Sequence, residues 1–136
     1  MIFFKNKQPS TTMIGRYGED AAAKFLKQNG YRIVAANFRA GRNEIDLIAE
    51  DREFLVFVEV KTRGTRTYPT DYGAPADAVN RAKRKRTVEA ARAYLYKKPT
   101  EKTPRFDVIE VYLEETAFSA TPRVLKINHL CDAFRN

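Results

Sequence analysis

Hydrophobic and polar residues alternate most clearly in the middle of the chain, where consecutive strands are predicted. Two of these strands span residues 44–49 and 54–61, and the polar turn 50–53 joins them. The second has Phe or Val at most positions, the composition of a strand that is buried on both faces. A further strand is predicted just before them, over residues 31–38. Together the three segments predict an antiparallel meander.

Two helices and two more strands complete the predicted order. The first helix covers residues 17–28, where apolar residues recur at helical spacing, and Gly30 supplies its left-handed cap. The second helix is predicted over residues 78–98, with strands over 105–113 and 123–127. A strand after a helical crossover joins the sheet parallel to its neighbour. The predicted class is α/β, a mixed β-sheet flanked by helices with an αβββαβ core.

Length and composition predict one domain, residues 14–136, preceded by a flexible N-terminal arm, residues 1–13. The chain has 136 residues, enough for a single hydrophobic core. The arm has scattered polar residues and no periodicity. Residues 132–136 read as a tail. Lys5 interrupts the apolar start, which argues against a signal peptide.

Cysteine and histidine are scarce. Cys131 is the only cysteine and His129 the only histidine. These counts exclude an internal disulfide, and they predict neither a cysteine-based zinc site nor a His–Cys metal cluster. A reducing, cytoplasmic location is the corresponding expectation.

The chain is strongly basic, with 25 Lys and Arg against 17 Asp and Glu and a net charge of +8. A small domain this basic usually meets a polyanion, and nucleic acid, above all DNA, is the first candidate. An anionic membrane surface is the second, but no segment approaches the length of a transmembrane helix, so no membrane partner is predicted. A homodimer is left open.

Acidic residues meet at one end of the two central strands. Side chains two apart in a strand share a face, so Glu59 and Lys61 point the same way. A register that sets Asp46 beside Glu59 would join two carboxylates and one ammonium group. Mg²⁺, or Mn²⁺ in its place, takes one or two carboxylates and completes its shell with water and phosphate. Such a site suits phosphodiester hydrolysis. A strand-end Glu-x-Lys is also commonly a cross-strand salt bridge.

Basic and aromatic residues follow this acidic cluster. The loop 63–77 begins two residues after Lys61, and long loops inside compact domains are often functional, although a plain connector fits loop statistics equally well. Its tyrosines suit base stacking and its arginines suit phosphate contacts. The next helix opens with five positive charges in six residues. The predicted nucleic-acid-binding residues are Arg63, Arg66, Tyr68, Tyr72, Arg81, Lys83, Arg84, Lys85 and Arg86.

Several short motifs occur together over residues 15–112. They are Gly15-x-x-Gly18-Glu19-x-x-Ala22 with Phe25-Leu26, Gly30-Tyr31-Arg32-Ile33, Asn37-Phe38-Arg39, Glu44-Ile45-Asp46-Leu47-Ile48, Phe57-Val58-Glu59-Val60-Lys61-Thr62-Arg63 and Arg105-Phe106-Asp107-Val108-Ile109. With them the chain resembles the YraN-type family of small bacterial proteins, among the nucleases built on a Pro-Asp…(Asp/Glu)-x-Lys core. One departure is Asn43, where that family usually has Gly. Asn tolerates left-handed backbone better than most residues.

The resemblance implies a restriction-endonuclease-like fold, similar to that of archaeal Holliday-junction resolvases. It also implies that Asp46, Glu59 and Lys61 match the metal-binding and catalytic positions. Glu19 matches the acidic residue of the first helix, as a catalytic residue and metal ligand. On position alone, Glu19 reads as an acid that complements the helix dipole.

These observations predict a magnesium-dependent endonuclease that hydrolyses DNA, with branched or junction DNA as one form of the hypothesis. The alternative is a nucleic-acid-binding module that keeps the nuclease fold without cleaving. A third is a structural protein whose charges only solubilise it. The intact acid–acid–lysine set favours the first over the second, and the basic run 81–86 favours both over the third.

Overall fold

The computed structural model describes residues 11–64, 81–114 and 121–135. The elements are α1 (Thr11–Gln28), β1 (Arg32–Ala40), β2 (Asn43–Glu50), β3 (Phe54–Gly64), α2 (Arg81–Lys97), β4 (Thr103–Glu114) and β5 (Arg123–Phe134). They confirm the predicted α/β class and the αβββαβ order, with a fifth strand at the end. Neither helix is long and apolar enough to cross a membrane.

The five strands form one mixed sheet in the spatial order β1-β2-β3-β4-β5. The pairs β1–β2 and β2–β3 are antiparallel, which confirms the meander. The pair β3–β4 is parallel, and β4–β5 is antiparallel. A parallel neighbour needs a crossover, and α2 lies between β3 and β4 in the chain.

The two helices pack against opposite faces of the sheet, and β3 contributes to both cores. Val56 and Val58 belong to the core that includes residues of α1. Leu55 and Phe57 belong to the core that includes residues of α2. Because strand side chains alternate between faces, β3 must be apolar at successive positions to fill both cores. This explains the uninterrupted Phe and Val run and confirms the prediction of a strand buried on both sides.

Side-chain hydrogen bonds close the turn between β2 and β3. The Asp51 carboxylate accepts hydrogen bonds from the backbone N–H groups of Glu53 and Phe54, at 2.9 and 2.7 Å. An Asp that bonds the backbone two and three residues ahead stabilises a tight reversal. These bonds hold the pKa of Asp51 below its usual value.

Two predicted boundaries are wrong. Helix α1 begins at Thr11 rather than Tyr17, so the last three residues of the predicted arm are helical; residues 1–10 lie outside the described part. Strand β5 runs to Phe134, so most of the predicted tail is strand. Phe134 is buried and stacks on Phe106, with ring centroids 5.1 Å apart. A left-handed residue, Asp132 with φ 53°, breaks the alternation that would have revealed this strand.

Gly18 lets α1 approach β3 closely. A Cβ at Gly18 would overlap the Thr62 side chain and lie 2.9 Å from its Cβ. A Cβ at Gly15, one turn earlier in the same helix, would meet nothing within 4 Å. Only the second glycine is therefore required by packing.

We expect Gly18→Ala to lower the free energy of unfolding by roughly 1–3 kcal/mol, because overpacking forces the helix away from the strand. The matched control is Gly15→Ala, which should be neutral or stabilising by up to about 1 kcal/mol through helix propensity. Adding Thr62→Ala to Gly18→Ala should recover part of the loss. Urea denaturation measures all four proteins, and equal midpoints for the two single alanine variants would contradict this account.

Candidate active site

The strand register brings two acidic residues together at one end of the sheet. Leu47 and Val58 form the last pair of β2 with β3, and Asp46 and Glu59 are the next residues along the two strands, close enough for their charges to interact. The backbone N–H of Val60 donates a hydrogen bond of 2.8 Å to Oδ2 of Asp46. This is the register on which the predicted carboxylate cluster depends.

Two lysines neutralise the Glu59 carboxylate. The Nζ atoms of Lys61 and Lys83 each lie 2.9 Å from Oε2 of Glu59, whose side chain is only 8% exposed. Both contacts are ion pairs. Burial alone would raise the pKa of Glu59, but the two ammonium groups outweigh burial and hold that pKa below its usual value.

Asp46 and Glu19 have the opposite electrostatic situation. Burial is the main cause that raises the pKa of Asp46, and the charges of Glu59 and Glu44 add to it, against the Val60 hydrogen bond and the Lys83 charge. Burial also raises the pKa of Glu19, followed by repulsion from Asp46. Glu19 of α1 therefore lies close enough to Asp46 to interact with it. The protein holds these acids near one another without fully neutralising them.

Asn37 is a site residue that the sequence pattern does not predict. Its neighbours Ala36 and Phe38 pair with Leu47 and Ile45, so Asn37 stands opposite Asp46 on β1. Its side chain hydrogen-bonds Glu19 and works against the rise in the pKa of that acid. Asn37 has φ 53°, which Asn tolerates and most strand residues do not. An Asn inside a predicted strand is the signal that could have marked it.

Asp46 and Glu59 line a small cleft of about 120 Å³. Its walls come from β2, β3 and the first turns of α2. The lining residues are Arg42, Glu44, Ile45, Asp46, Val58, Glu59, Lys83, Arg86 and Thr87. The cleft thus has carboxylates from β2 and β3 on one side and basic side chains of α2 on the other, which we call the basic wall.

The donor set fits a hard divalent cation. Carboxylate oxygens are the ligands that Mg²⁺ prefers, and a cation would relieve the repulsion that raises the pKa values of Asp46 and Glu19. Among the described residues, no three ligand atoms of these acids lie within 4.8 Å of one another. One or two carboxylates would therefore bind a cation directly, with water filling the other positions.

Comparison with known proteins identifies the family. The model of a family described as "Uncharacterised protein family UPF0102" matches residues 18–111, which include Glu19, Asp46, Glu59 and Lys61. The chain belongs to the uncharacterised protein family UPF0102. The match also covers α2 and most of β4.

The relatives carry the same family name and no stated activity. A UPF0102 protein of Clostridium beijerinckii is 42% identical over 125 residues, covering 90% of this chain and 93% of that protein. One from Symbiobacterium thermophilum is 52% identical over 99 residues, covering 72% and 80%. One from Caldanaerobacter subterraneus subsp. tengcongensis is 37% identical over 129 residues, covering 94% and 99%. The similarity therefore extends over at least four fifths of the length of each of these relatives.

The basic residues predicted to bind nucleic acid have different environments in this UPF0102 protein. Lys83 and Arg86 line the cleft. Arg84 lies over the Phe134 ring, 5.5 Å from its centroid, and is half-buried. Arg81 and Lys85 are exposed at the start of α2. The basic run therefore contributes to the cleft wall, to packing and to the surface.

Four of the predicted contacts require comment. Arg63 is buried in β3, and its Nη2 lies 4.0 Å from Oε2 of Glu110. The Arg63 side chain is therefore little exposed, and its predicted contact with phosphate stays a prediction. Arg66, Tyr68 and Tyr72 lie outside the described residues.

Asp46→Asn should raise stability near neutral pH. Folding raises the pKa of Asp46, so the folded protein binds this proton more tightly than the unfolded chain does. The free energy of unfolding therefore falls as pH rises from the pKa of Asp46 in the unfolded chain to its pKa in the folded protein, and it stays lower at higher pH. Asn keeps an acceptor for the Val60 N–H without the charge. We expect a melting temperature a few degrees higher at about pH 7, with the gain shrinking toward about pH 4.

Asp51→Asn is the matched control, because it makes the same substitution at a carboxylate whose pKa is lowered. That variant should melt below wild type at neutral pH. Differential scanning calorimetry across pH compares the two. A lower melting temperature for Asp46→Asn at every pH would contradict the expectation.

Proposed function

We propose that this UPF0102 protein is a magnesium-dependent endonuclease that hydrolyses DNA phosphodiester bonds on a restriction-endonuclease-like core. The observation that carries the proposal is the position of Asp46 beside Glu59, just past the last pair of the β2–β3 register, with Lys61 on Glu59. Two neighbouring carboxylates and a lysine are the groups that metal-assisted phosphodiester hydrolysis uses. The YraN-type motifs that the chain contains support the same assignment.

Asp46 and Glu59 would hold the cation directly, and Glu19 would bind it through water. When bound, the cation polarises a phosphoryl oxygen and lowers the pKa of a coordinated water. Asp46 is well placed for this role, because the Val60 N–H occupies Oδ2 and fixes the orientation of the carboxylate. The neighbouring charges of Glu59 and Glu44 make the potential at Asp46 more negative, which attracts a cation.

Lys61 would act on the reacting phosphate. Its side chain is 13% exposed, and its ammonium group shares the Glu59 oxygen with that of Lys83. A fixed cation at this point offsets the negative charge that develops on the phosphate in the transition state. Glu59 would lose both of its partners only if both lysines moved away. Lys61 can therefore turn to the phosphate while Lys83 stays on Glu59.

The wall of α2 would bind the DNA backbone. Arg86 lines the cleft beside Lys83, and Arg81 and Lys85 extend the positive surface outward. Phosphate contacts of this kind supply affinity without sequence preference and weaken with salt. This fits a nuclease whose cut site is chosen by DNA shape, and branched or junction DNA is the form we propose to test first.

A second candidate is a DNA-binding module that does not cleave. The observation that favours it is the double ion pair on Glu59, which is the arrangement of a closed structural salt bridge. The two functions share the basic wall and differ only in whether the acids take up a cation.

The decisive test is cleavage of linear, flapped and four-way DNA with Mg²⁺ or Mn²⁺. Wild type should cleave at least one substrate, and Asp46→Asn and Lys61→Met should lose activity by about 100-fold or more. Lys61→Met should stay folded, because Lys83 still neutralises Glu59 and the loss stays below the roughly 3–5 kcal/mol of an uncompensated buried charge. Wild type that binds these DNAs but leaves all of them intact would establish the second candidate.

The basic wall is tested by binding to duplex DNA at several salt concentrations. Arg86→Glu should weaken affinity about 10-fold or more for all sequences alike and reduce the salt slope. Arg92→Glu is the matched control, because Arg92 is exposed later on α2 and pairs with Glu89 rather than lining the cleft. Equal losses for the two variants would show that only net charge matters.

A further inference from the structure

A second polar cluster lies on β4 and β5, away from the acidic cleft. One potential metal-ligand atom from each of Asp107, His129 and Cys131 lies within 4.8 Å of the other two. We propose that these three residues form a zinc site that ties the edge strand β5 to β4. Cysteine and histidine counts do not predict this group, because a buried carboxylate would supply the third ligand.

The distances between the ligand atoms suit zinc. Sγ of Cys131 lies 3.6 Å from Nε2 of His129. In a tetrahedral site with typical zinc bond lengths, a sulfur and a nitrogen ligand stand about 3.5 Å apart. Nε2 of His129 lies 2.7 Å from Oδ2 of Asp107, a hydrogen bond that would open to about 3.4 Å around the metal. The cation would take the position of the proton between them.

A β-bulge assembles the cluster. Phe106 pairs with Phe134 while Val108 pairs with Leu130, so β5 has extra residues opposite Asp107. Asp132 in this bulge has φ 53°, and its N–H donates a 2.9 Å hydrogen bond to Oδ1 of Asp107. Bulges bend a strand and redirect its side chains. Here the bulge places two residues of β5 around one carboxylate of β4.

The surroundings hold the ligands in place without a metal. Arg105 donates to both carboxylate oxygens of Asp107, from Nε at 2.9 Å and from Nη2 at 2.8 Å. Tyr31 accepts a further 2.7 Å hydrogen bond from Arg105. The imidazole of His129 meets the Phe25 and Tyr31 rings edge-on. Hydrogen-bonded carboxylates and packed imidazoles are the usual outer shell of a metal site.

The alternative is a closed network of hydrogen bonds and ion pairs without a metal. The two arrangements differ in the charge of Cys131, which is a thiol in the closed network and a thiolate in the zinc site. In the closed network Sγ of Cys131 lies 3.6 Å from Nε2 of His129 and 3.9 Å from Nη2 of Arg105, and a metal that bound the sulfur would displace the thiol proton. A bound Zn²⁺ would be balanced by one thiolate and one carboxylate. Cys131 is exposed, which gives the metal an entry path and leaves a fourth position for water.

This site is independent of the acidic cleft. Val108 belongs to the core on the α2 side, and Ile109 to the core on the α1 side. Alternation therefore puts Asp107 on the α1 face, whereas Glu59 follows Phe57 onto the α2 face. Zinc binding and magnesium-dependent cleavage can succeed or fail separately.

The test is titration of the reduced full-length protein with Co²⁺ and then Zn²⁺. Cys131 is the only cysteine, so a cobalt–thiolate charge-transfer band can arise from no other residue. We expect one equivalent of Co²⁺ to produce the band and Zn²⁺ to abolish it. Cys131→Ser should lose the band, and His129→Gln should weaken Zn²⁺ affinity by about 10-fold or more. Asp46→Asn should leave both unchanged.

Thermal melts complete the test. Zn²⁺ should raise the melting temperature of wild type, since a ligand that binds only the folded state stabilises it. Cys131→Ser should fold as wild type does without metal, because the residue is exposed, and should lose the zinc shift. Absence of the cobalt band in wild type, or equal zinc shifts in wild type and Cys131→Ser, would overturn the site and leave a closed ion network.

Discussion

The burial of β3 on both faces is the constraint on which the structure depends. Leu55 through Val58 are each at most 3% exposed and fill two separate cores. A strand in this central position cannot also carry charges unless they are neutralised locally. The chain satisfies this by placing its charged residues in the second half of β3, where Lys83 of α2 reaches Glu59. The candidate active site lies where the apolar run of β3 ends.

The cleft has an unequal distribution of charge that follows from this arrangement. Glu59 is neutralised by two lysines, one from its own strand and one from α2, and its pKa is lowered. Asp46, across the strand pair, keeps a raised pKa through burial and repulsion. Carboxylates in one site whose pKa values are shifted in opposite directions are typical of functional positions. A site of this kind lowers stability locally and is retained where it serves binding or chemistry.

The opposite face of the sheet uses charge in another way. Asp107 is fully buried and accepts hydrogen bonds from Arg105, His129 and the backbone of Asp132. Burial would raise the pKa of this carboxyl, but its partners hold the pKa below its usual value. The network joins β4, β5 and Tyr31, so it helps to hold the edge strand β5 on the sheet. The same chain thus contains one acidic cleft with carboxylates from two strands and one buried carboxylate held by donors from β4 and β5.

The order of elements and the register at Asp46 could be predicted from the sequence, because alternation, turn residues and the Glu-x-Lys pattern are local signals. The sequence by itself determined which strand is central and which residues end it. Only the tertiary structure decided that Lys83 reaches Glu59, that Arg63 turns inward, and that Asn37 stands beside Glu19. It also decided that His129 and Cys131 meet Asp107 across a bulge. These contacts join residues far apart in the chain or depend on one irregular φ value. Local hydrophobic periodicity predicts neither.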